Sequence, residues 1–296
     1  MTGQNGELDR AASVLPKVLK AAGAIIAPGT VVTALLFYFG WLHAFWFCYY
    51  FGVHSTVLGL TLEDYLLRSA DGLFVPMTVV AGIALVVAWS QRLLRLRLTE
   101  KPRERRVIAI GAVVLGVVLS LVGILDVLGE SLFDLGLTVA PLSLATGVLL
   151  LMFASRLLRA GERKSSEWVG LAEWSAAFVV VSICAFWAAA DYASSVGLGR
   201  AQQVQAELRG YPGAVLYSAK SLSLAGPGVT MTPCANPDGA YRYRYDGLRL
   251  VLQSGNQYFF LPQDWSPGAG AAMIVPRSES MRLEFTTASS LAPCGA

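Results

Sequence analysis

Five long apolar stretches constrain the fold of this chain more than any other feature. They run Ala24–Trp46, Leu73–Leu94, Val107–Leu128, Leu137–Leu158 and Val169–Tyr192. Each is long enough to cross a hydrocarbon core about 30 Å thick, which takes roughly 20 helical residues. Only 15% of the residues are charged and 55% are hydrophobic, a balance unlike that of soluble domains. We predict a membrane α-helical bundle of five transmembrane helices, because a bilayer offers backbone groups no partners of its own.

The charges between these stretches predict the orientation. Basic residues crowd the segment 1–23, the loop from Arg92 to Arg106 and the loop from Arg156 to Lys164. The other two loops carry mainly acidic residues, and Arg68 is their one arginine or lysine. Because Lys and Arg accumulate on the cytoplasmic side of short loops, we expect a multi-pass protein of the cell membrane. Its amino terminus would be cytoplasmic and its carboxyl terminus extracytoplasmic.

The chain changes character after the fifth stretch. Residues 194–209 keep helical spacing and predict a helical connector, which continues the transmembrane domain of residues 24–193. From residue 210 to 296 the apolar period becomes two, which is typical of strands. Strands are expected at Ala214–Ala219, Val229–Cys234, Tyr241–Tyr245, Leu248–Leu252, Gln257–Leu261, Ala272–Val275 and Met281–Thr287. They predict a small extracytoplasmic antiparallel β domain, curled into a sandwich or a barrel.

Two short segments predict turns inside this domain. Asp246-Gly247 suits a two-residue hairpin, because the type I′ turn requires positive φ. Ser254-Gly255-Asn256 predicts the next turn, so residues 241–261 are expected to form a three-stranded meander. In the first of these strands the three tyrosines Tyr241, Tyr243 and Tyr245 would share one face, with Arg242 and Arg244 on the other.

The four cysteines fit this topology. Cys234 and Cys294 both fall in the domain expected outside, where thiols oxidise readily. We predict that they form a disulfide, which would close a loop of about 60 residues and contribute a few kcal/mol. Cys48 and Cys184 lie in or beside membrane helices and read as small buried hydrophobic residues. A redox pair is the alternative.

Several segments carry a resemblance. Phe51-Gly52-Val53, Leu58-Gly59-Leu60 and the run Asp64–Ser69 are similar to a block found in uncharacterised multi-pass membrane proteins of GC-rich Gram-positive bacteria. The run Tyr243–Leu250, with Tyr258-Phe259 and Trp265, resembles the same group. The resemblance implies the same membrane topology. It implies no activity, cofactor or site residue.

The loop 52–72 is the richest candidate for a functional site. Thr61 with Asp64 three positions later is a capping pattern, which predicts a short helix at the outer membrane surface. Its Glu63, Asp64, Arg68 and Asp71, with His54 nearby, are candidates for a polar site facing the β domain. The structural alternative is that the acids complement the helix amino terminus and that the arginine pairs with them.

Other polar residues lie within or near the membrane stretches. The intramembrane candidates are His43, Asp126, Glu130, Asp134, Glu173 and Asp191, since buried charges in a membrane are costly and often functional. His43 lies among the aromatic residues that crowd the end of the first stretch, which predicts an interfacial belt or, alternatively, a groove for a lipid tail. With two histidines in the chain, zinc or haem is not expected, and we predict no cofactor.

The third stretch also offers a packing face. Ala112, Gly116 and Ser120 recur every four residues, with Gly123 near the same face. Such spacing allows close approach of another helix, from the same chain or from a second copy in a homo-oligomer.

No nucleotide-binding or nucleophile motif is present, so we predict no enzymatic activity. The expected function is that of an envelope protein whose outer β domain binds a partner or senses a ligand. The candidate surface there is Tyr241–Tyr245, since Tyr and Arg are enriched at binding hot spots. The alternative is a subunit of an oligomeric channel or transporter. The expected partners are membrane lipids and a protein at the outer domain, and nucleic acid is not expected because the basic residues form no continuous polar face.

Overall fold

The protein contains five helices that are long and apolar enough to span a membrane, counted over the residues that its structure, a computed structural model, describes. Those residues are Ile26, 29–98, 102–127, 139–159, 167–236 and 239–286. The helices are α1 (Gly29–Tyr50), α2 (Leu62–Leu98), α3 (Pro102–Val127), α4 (Val139–Arg159) and α5 (Glu167–Glu207). Single turns of 3-10 helix cover Ser55–Leu58 and Leu208–Gly210. The predicted helical architecture is present in the fold.

Two helices extend beyond their predicted ends. The short helix expected after Thr61 is not separate, because it continues through Pro76 as the first turns of α2. Proline removes one backbone donor, but the helix continues on both sides of Pro76. α5 is likewise continuous from the fifth stretch through the predicted connector, and its 41 residues end at Glu207. Gly210, Tyr211 and Pro212 then stop helix formation, as expected.

Contacts along the chain divide it into two compact units. Unit 1 contains residues 1–38 and 73–192, and unit 2 contains residues 39–72 and 193–296. Unit 2 therefore combines the carboxyl end of α1, the loop 52–72, the last turns of α5 and all of the β-strands. Most of the aromatic end of α1 and the predicted β domain belong to the same unit.

Within unit 1, α3 and α4 pack closely along the predicted small-residue face. A Cβ atom added to Gly116 would lie 3.0 Å from the backbone oxygen of Gly147. One added to Gly123 would lie 2.9 Å from the oxygen of Ala140. Any larger side chain would push the helices apart, so glycine is required at these two crossings. The helix that approaches this face is α4 of the same chain.

Unit 2 contains one antiparallel sheet. Its strands are β1 (Gly213–Ser218), β2 (Thr230–Pro233), β3 (Tyr243–Ser254), β4 (Gln257–Pro262), β5 (Met273–Pro276) and β6 (Met281–Thr286). The order is β5-β4-β3-β1-β6, and β2 also pairs with β3. The antiparallel sheet agrees with the prediction. Among the described residues β5 and β6 do not pair with each other, so the sheet is not a closed barrel.

One predicted turn is wrong. Asp246-Gly247 does not form a hairpin, because β3 runs through it as one strand of 12 residues. Leu216 pairs with Tyr245 and Ala214 pairs with Leu248, so Asp246 and Gly247 together oppose the single residue Val215. This is a β-bulge, in which a glycine with positive φ is as suitable as in a type I′ turn, and Gly247 has a φ of +79°. The second predicted turn is correct, and it joins β3 to β4 in a hairpin.

Two apolar clusters form the core of unit 2. One lies between helix ends and sheet and includes Phe47, Phe51, Leu208, Phe259 and Trp265; we call it the docking core. The other lies on one face of the sheet and includes Leu216, Tyr245, Leu248 and Phe260; we call it the sheet core. The docking core takes side chains from α1, from α5 and from the sheet, so these elements share one interior.

Candidate functional site

The capping pattern of the loop 52–72 is formed as predicted. The backbone N–H of Thr61 donates to Asp64 Oδ2 at 2.9 Å, and the N–H of Asp64 donates to Thr61 Oγ1 at 3.2 Å. Ser254 Oγ, at the tip of the β3–β4 hairpin, also donates to Asp64 Oδ2 at 3.0 Å. The Thr61 N–H lowers the pKa of the Asp64 carboxyl, and the Ser254 hydroxyl adds to that lowering. Asp64 therefore caps α2 and fixes the hairpin to it.

The other candidate residues of this loop do not converge on one point. His54 is exposed, and its ring lies edge-on to Phe45 with centroids 5.6 Å apart. Glu63 is exposed. Burial lowers the pKa of the Arg68 guanidinium, and nearby Asp64 opposes that change. The side chain of Asp71 lies outside the described residues. The geometry of Asp64 is that of the structural alternative, a helix cap.

The aromatic end of α1 is divided between the docking core and an exposed side. Phe51 lies 5.0 Å from Trp265 and 5.9 Å from Phe259, measured between ring centroids. Tyr50 donates its hydroxyl to Gln205 Oε1 of α5. By contrast Tyr49 is 60% exposed. These aromatic residues thus serve the interior of unit 2 as well as its surface, a role that neither the belt nor the groove interpretation included.

A set of polar and aromatic side chains covers the sheet face opposite the sheet core. Tyr217 of β1 lies directly between Arg244 of β3 and Arg282 of β6 in the strand register. The two guanidinium carbons lie 6.0 and 5.9 Å from the centroid of the Tyr217 ring, within the range of cation–π attraction. We call this set the polar face. Its members are Tyr217, Tyr241, Arg244, Asp246, Arg282 and Glu284.

Each arginine of the polar face is paired with a carboxylate on its own strand. Arg244 contacts Asp246 at 2.7 Å, and Arg282 donates to Glu284. The hydrogen bond to Asp246 raises the pKa of Arg244. Burial raises the pKa of the Tyr217 hydroxyl, and Glu284 adds to the rise. The face is therefore formally neutral, with charges held in fixed positions around one tyrosine.

The predicted grouping of the tyrosines is correct for two of three. Tyr245 is fully buried in the sheet core, where its hydroxyl accepts a hydrogen bond from the Leu222 N–H at 2.7 Å, and Tyr243 packs against the same cluster. Tyr241 precedes β3, and its ring lies 6.2 Å from Tyr217 on the arginine side. The strand has not begun at residue 241, so its alternation does not apply there. Arg242 is exposed.

The two halves of the predicted surface are separated along β3. The loop 52–72 meets the sheet through Ser254, the last residue of β3. Tyr243, Arg244 and Tyr245 form its first three residues. At about 3.3 Å per residue the two ends lie roughly 30 Å apart. Sequence reasoning missed Tyr217, Arg282 and Glu284, because alternation places them on one face of their strands without showing which strands are neighbours.

The intramembrane candidates have several environments. Glu173 forms an ion pair with Arg159 at 2.6 Å, and Asp126 and Asp191 are close enough to interact electrostatically. The His43 ring stacks near Phe39 at 6.1 Å. Glu130 and Asp134 lie outside the described residues. Ser120 lies against α4 and Glu173 is paired with Arg159, so both side chains are already engaged within the chain.

The cysteines and possible metal ligands are the remaining candidate site residues. Cys48 and Cys184 are free and buried. Cys294 lies outside the described residues, so its pairing with Cys234 stays a prediction. No group of three or more His, Cys, Asp or Glu side chains within the described ranges could hold a metal ion.

Comparison of the chain with protein-family models, with curated proteins and with solved structures finds no match.

Proposed function

We propose that the protein is a membrane-anchored binding protein of the cell envelope, which presents its β domain outside the cell to a partner and performs no chemistry of its own. One observation carries this proposal: Tyr217 lies between Arg244 and Arg282 on an ordered sheet face. Tyrosine and arginine are the side chains most enriched at binding hot spots, together with tryptophan.

The exposure of the polar face suits a binding surface. The Arg282 side chain is 60% exposed, whereas that of Arg244 is only 12% exposed. A partner would therefore meet one accessible guanidinium and the edges of two tyrosine rings. The half-buried Arg244–Asp246 pair beside them would keep Tyr217 in place. Little side-chain freedom would be lost on binding, which favours affinity.

The docking core supports presentation of the sheet as part of a packed unit. Trp265 and Phe259 of the sheet pack against Phe51 of α1, and Asp64 holds the hairpin tip. A flexible tether would leave such large apolar side chains in water.

The proposal includes the predicted orientation, with the amino terminus inside, and the Cys234–Cys294 disulfide. It also includes membership of the uncharacterised Gram-positive group that the chain resembles. Orientation is tested by introducing a cysteine at exposed Lys220 and another at Ser165. An impermeant thiol reagent applied to intact cells should label only the first. Labelling of Ser165→Cys alone would reverse the orientation.

Binding is tested by placing a photo-crosslinking amino acid at Tyr241 of the full-length protein in cells. The expected result is one discrete crosslinked product, which is lost in the Arg282→Ala variant because the exposed cation is removed. The matched control is Arg209→Ala, since Arg209 is another exposed arginine, paired with Asp264 at 3.0 Å. Equal crosslinking in both variants, or no product from Tyr241, would contradict the proposal.

A further inference from the structure

A cavity of about 490 Å³ opens in unit 2 on the side of the sheet core, away from the polar face. Residues of β1, β4 and β6 line it together with the β5–β6 connection, so the sheet curls around it. The volume lies within the range of about 300–1,000 Å³ typical of small-molecule sites. We call it the rim pocket.

Apolar side chains form part of the lining of the rim pocket. They are Leu216, Met281 and Leu283, which we call its floor, together with the Tyr258 ring. Tyr258 is held in place by Phe260, whose ring centroid lies 5.9 Å away. Leu216 is fully buried, and Met281 and Leu283 are half-buried. The apolar surface that the floor offers to a ligand therefore comes from Met281 and Leu283.

The rim of the pocket is polar and carries both signs of charge. It is formed by Arg277, Ser278 and Glu279 of the β5–β6 connection and by Asn256 of the β3–β4 turn. Both charged side chains are exposed, and neither forms an ion pair with another described residue. This contrasts with the polar face, where each arginine already has a carboxylate partner.

Backbone hydrogen bonds hold the rim in shape. The Arg277 N–H donates to the Asn256 oxygen at 2.7 Å, and the Met281 N–H donates to the Ser278 oxygen at 3.2 Å. The Ala219 N–H donates to the Ser280 oxygen at 3.0 Å. The connection 277–280 is thereby attached to the β3–β4 turn on one side and to the end of β1 on the other. The two charges stand on a preformed edge.

We propose that the rim pocket binds a small zwitterion with an apolar body, namely an amino acid or short peptide with a large apolar side chain. The apolar side chain enters between Tyr258 and the floor. The carboxylate accepts from the Arg277 guanidinium, and the ammonium donates to the Glu279 carboxylate. This site lies on the opposite sheet face from the proposed partner surface and does not depend on it.

Other small ligands match the pocket less well. A sugar would leave its hydroxyl groups against Leu216, Met281 and Leu283 without partners, which is costly. A nucleotide carries several negative charges, whereas the rim offers one cation and one anion. An uncharged acyl chain would leave both rim charges unused.

The test measures ligand binding by calorimetry and ligand-observed NMR on the full-length protein in lipid nanodiscs. The probes are L-phenylalanine, the dipeptide Leu-Phe, glycine and N-acetyl-L-phenylalanine amide. We expect saturable binding of phenylalanine, of the dipeptide or of both. The compound that binds more tightly shows whether the ligand is an amino acid or a short peptide. Glycine lacks the apolar body and the blocked compound lacks both charges, so each should bind at least tenfold more weakly.

Substitutions test the contributions of the charged rim and of the floor to ligand binding separately. Arg277→Ala and Glu279→Gln should each weaken binding at least tenfold, and Met281→Glu should abolish it. Arg277 and Glu279 are exposed, so their replacement leaves the core intact, and Lys220→Ala is the matched surface control. The proposal is overturned if no probe binds saturably, if the blocked compound binds as tightly as phenylalanine, or if the rim variants bind like the control.

Discussion

α2 and the sheet use the same apolar residue types in opposite ways. In the span Gly72–Ser90 of α2 only 6% of the most apolar window is buried within the chain, and Trp89 is 67% exposed. In unit 2 Phe259 is fully buried and Trp265 is 8% exposed. Apolar side chains that face outward all around a helix require an apolar surrounding. Unit 2 supplies its own interior, whereas α2 requires lipid or another protein surface.

The first prediction compares two tryptophans, one from each region. Trp265→Ala should lower the free energy of unfolding of unit 2 by about 3–5 kcal/mol, because it leaves a cavity in the docking core. Trp89→Ala should change it little, since that side chain is exposed. Thermal unfolding in a mild detergent, followed by tryptophan fluorescence or proteolysis, measures both. Equal losses of stability in the two variants would contradict the difference in burial between the two regions.

The second prediction compares two glycines. Gly247→Ala should destabilise the sheet by about 3 kcal/mol through strain at positive φ and through a clash, because its Cβ would lie against the Gly228 oxygen. Gly82→Ala in α2 meets no atom within 4 Å and should be neutral or slightly stabilising. Limited proteolysis of the 210–296 region reports the first effect. A stable, protease-resistant Gly247→Ala variant would show that the bulge is dispensable.

The third prediction concerns the close packing of α3 against α4 in unit 1. Gly147→Val should destabilise the α3–α4 pair by about 2 kcal/mol, because overpacking forces the helices apart. A Cβ at Gly147 would lie 2.8 Å from the Gly116 oxygen. Gly111→Val, with no atom within 4 Å of its Cβ, is the matched control on α3. Disulfide trapping between cysteines introduced into α3 and α4 should lose efficiency only in the first variant.

The fourth prediction concerns the helix cap of α2. Thr61→Ala should cost about 1 kcal/mol, since the Asp64 N–H loses its side-chain acceptor. Thr61→Ser retains an acceptor oxygen and should restore most of that loss. Hydrogen exchange of the first turn of α2 measures the effect locally. Unchanged exchange in Thr61→Ala would argue that Asp64 and Ser254 alone hold this end of the helix.

The smallest effect is a pH dependence of the same contact. The pKa of Asp64 in the folded protein lies below its unfolded value of about 3.9. Its stabilising contribution is therefore complete above that unfolded value and is lost as the pH falls through the lower folded value. The contribution should be under about 1 kcal/mol, because solvent screens the group. In the Asp64→Asn variant the free energy of unfolding should depend less on pH between about pH 5 and pH 2, the window around these pKa values.

Much of the fold follows from local sequence rules. Apolar length predicts the helices, and alternation predicts the strands, because both depend on neighbouring residues alone. Asp246-Gly247 was misassigned since a bulge and a type I′ turn demand the same residue chemistry. Only the partner strand, β1, distinguishes them. The continuation of α2 was missed because Gly and Pro weaken a helix without necessarily ending it.

The candidate site was harder to predict than the fold. Asp64 is found with its predicted capping partner, three residues away in the chain. Its contact with Ser254 spans 190 positions, and nothing in either segment indicates the other. The polar face likewise depends on the pairing of β1 with both β3 and β6, so Tyr217 gains its importance only from tertiary structure.

The shared docking core also sets an order of assembly. During synthesis the end of α1 and the loop 52–72 are made first, while Phe259 and Trp265 follow roughly 200 residues later. Until the last strands arrive, Phe47 and Phe51 have no sheet to cover them. The β domain in turn has no complete interior without the helices, so release of residues 210–296 as a separate fragment would expose half of a core. Folding of residues 210–296 thus depends on helix ends that are synthesised well before them.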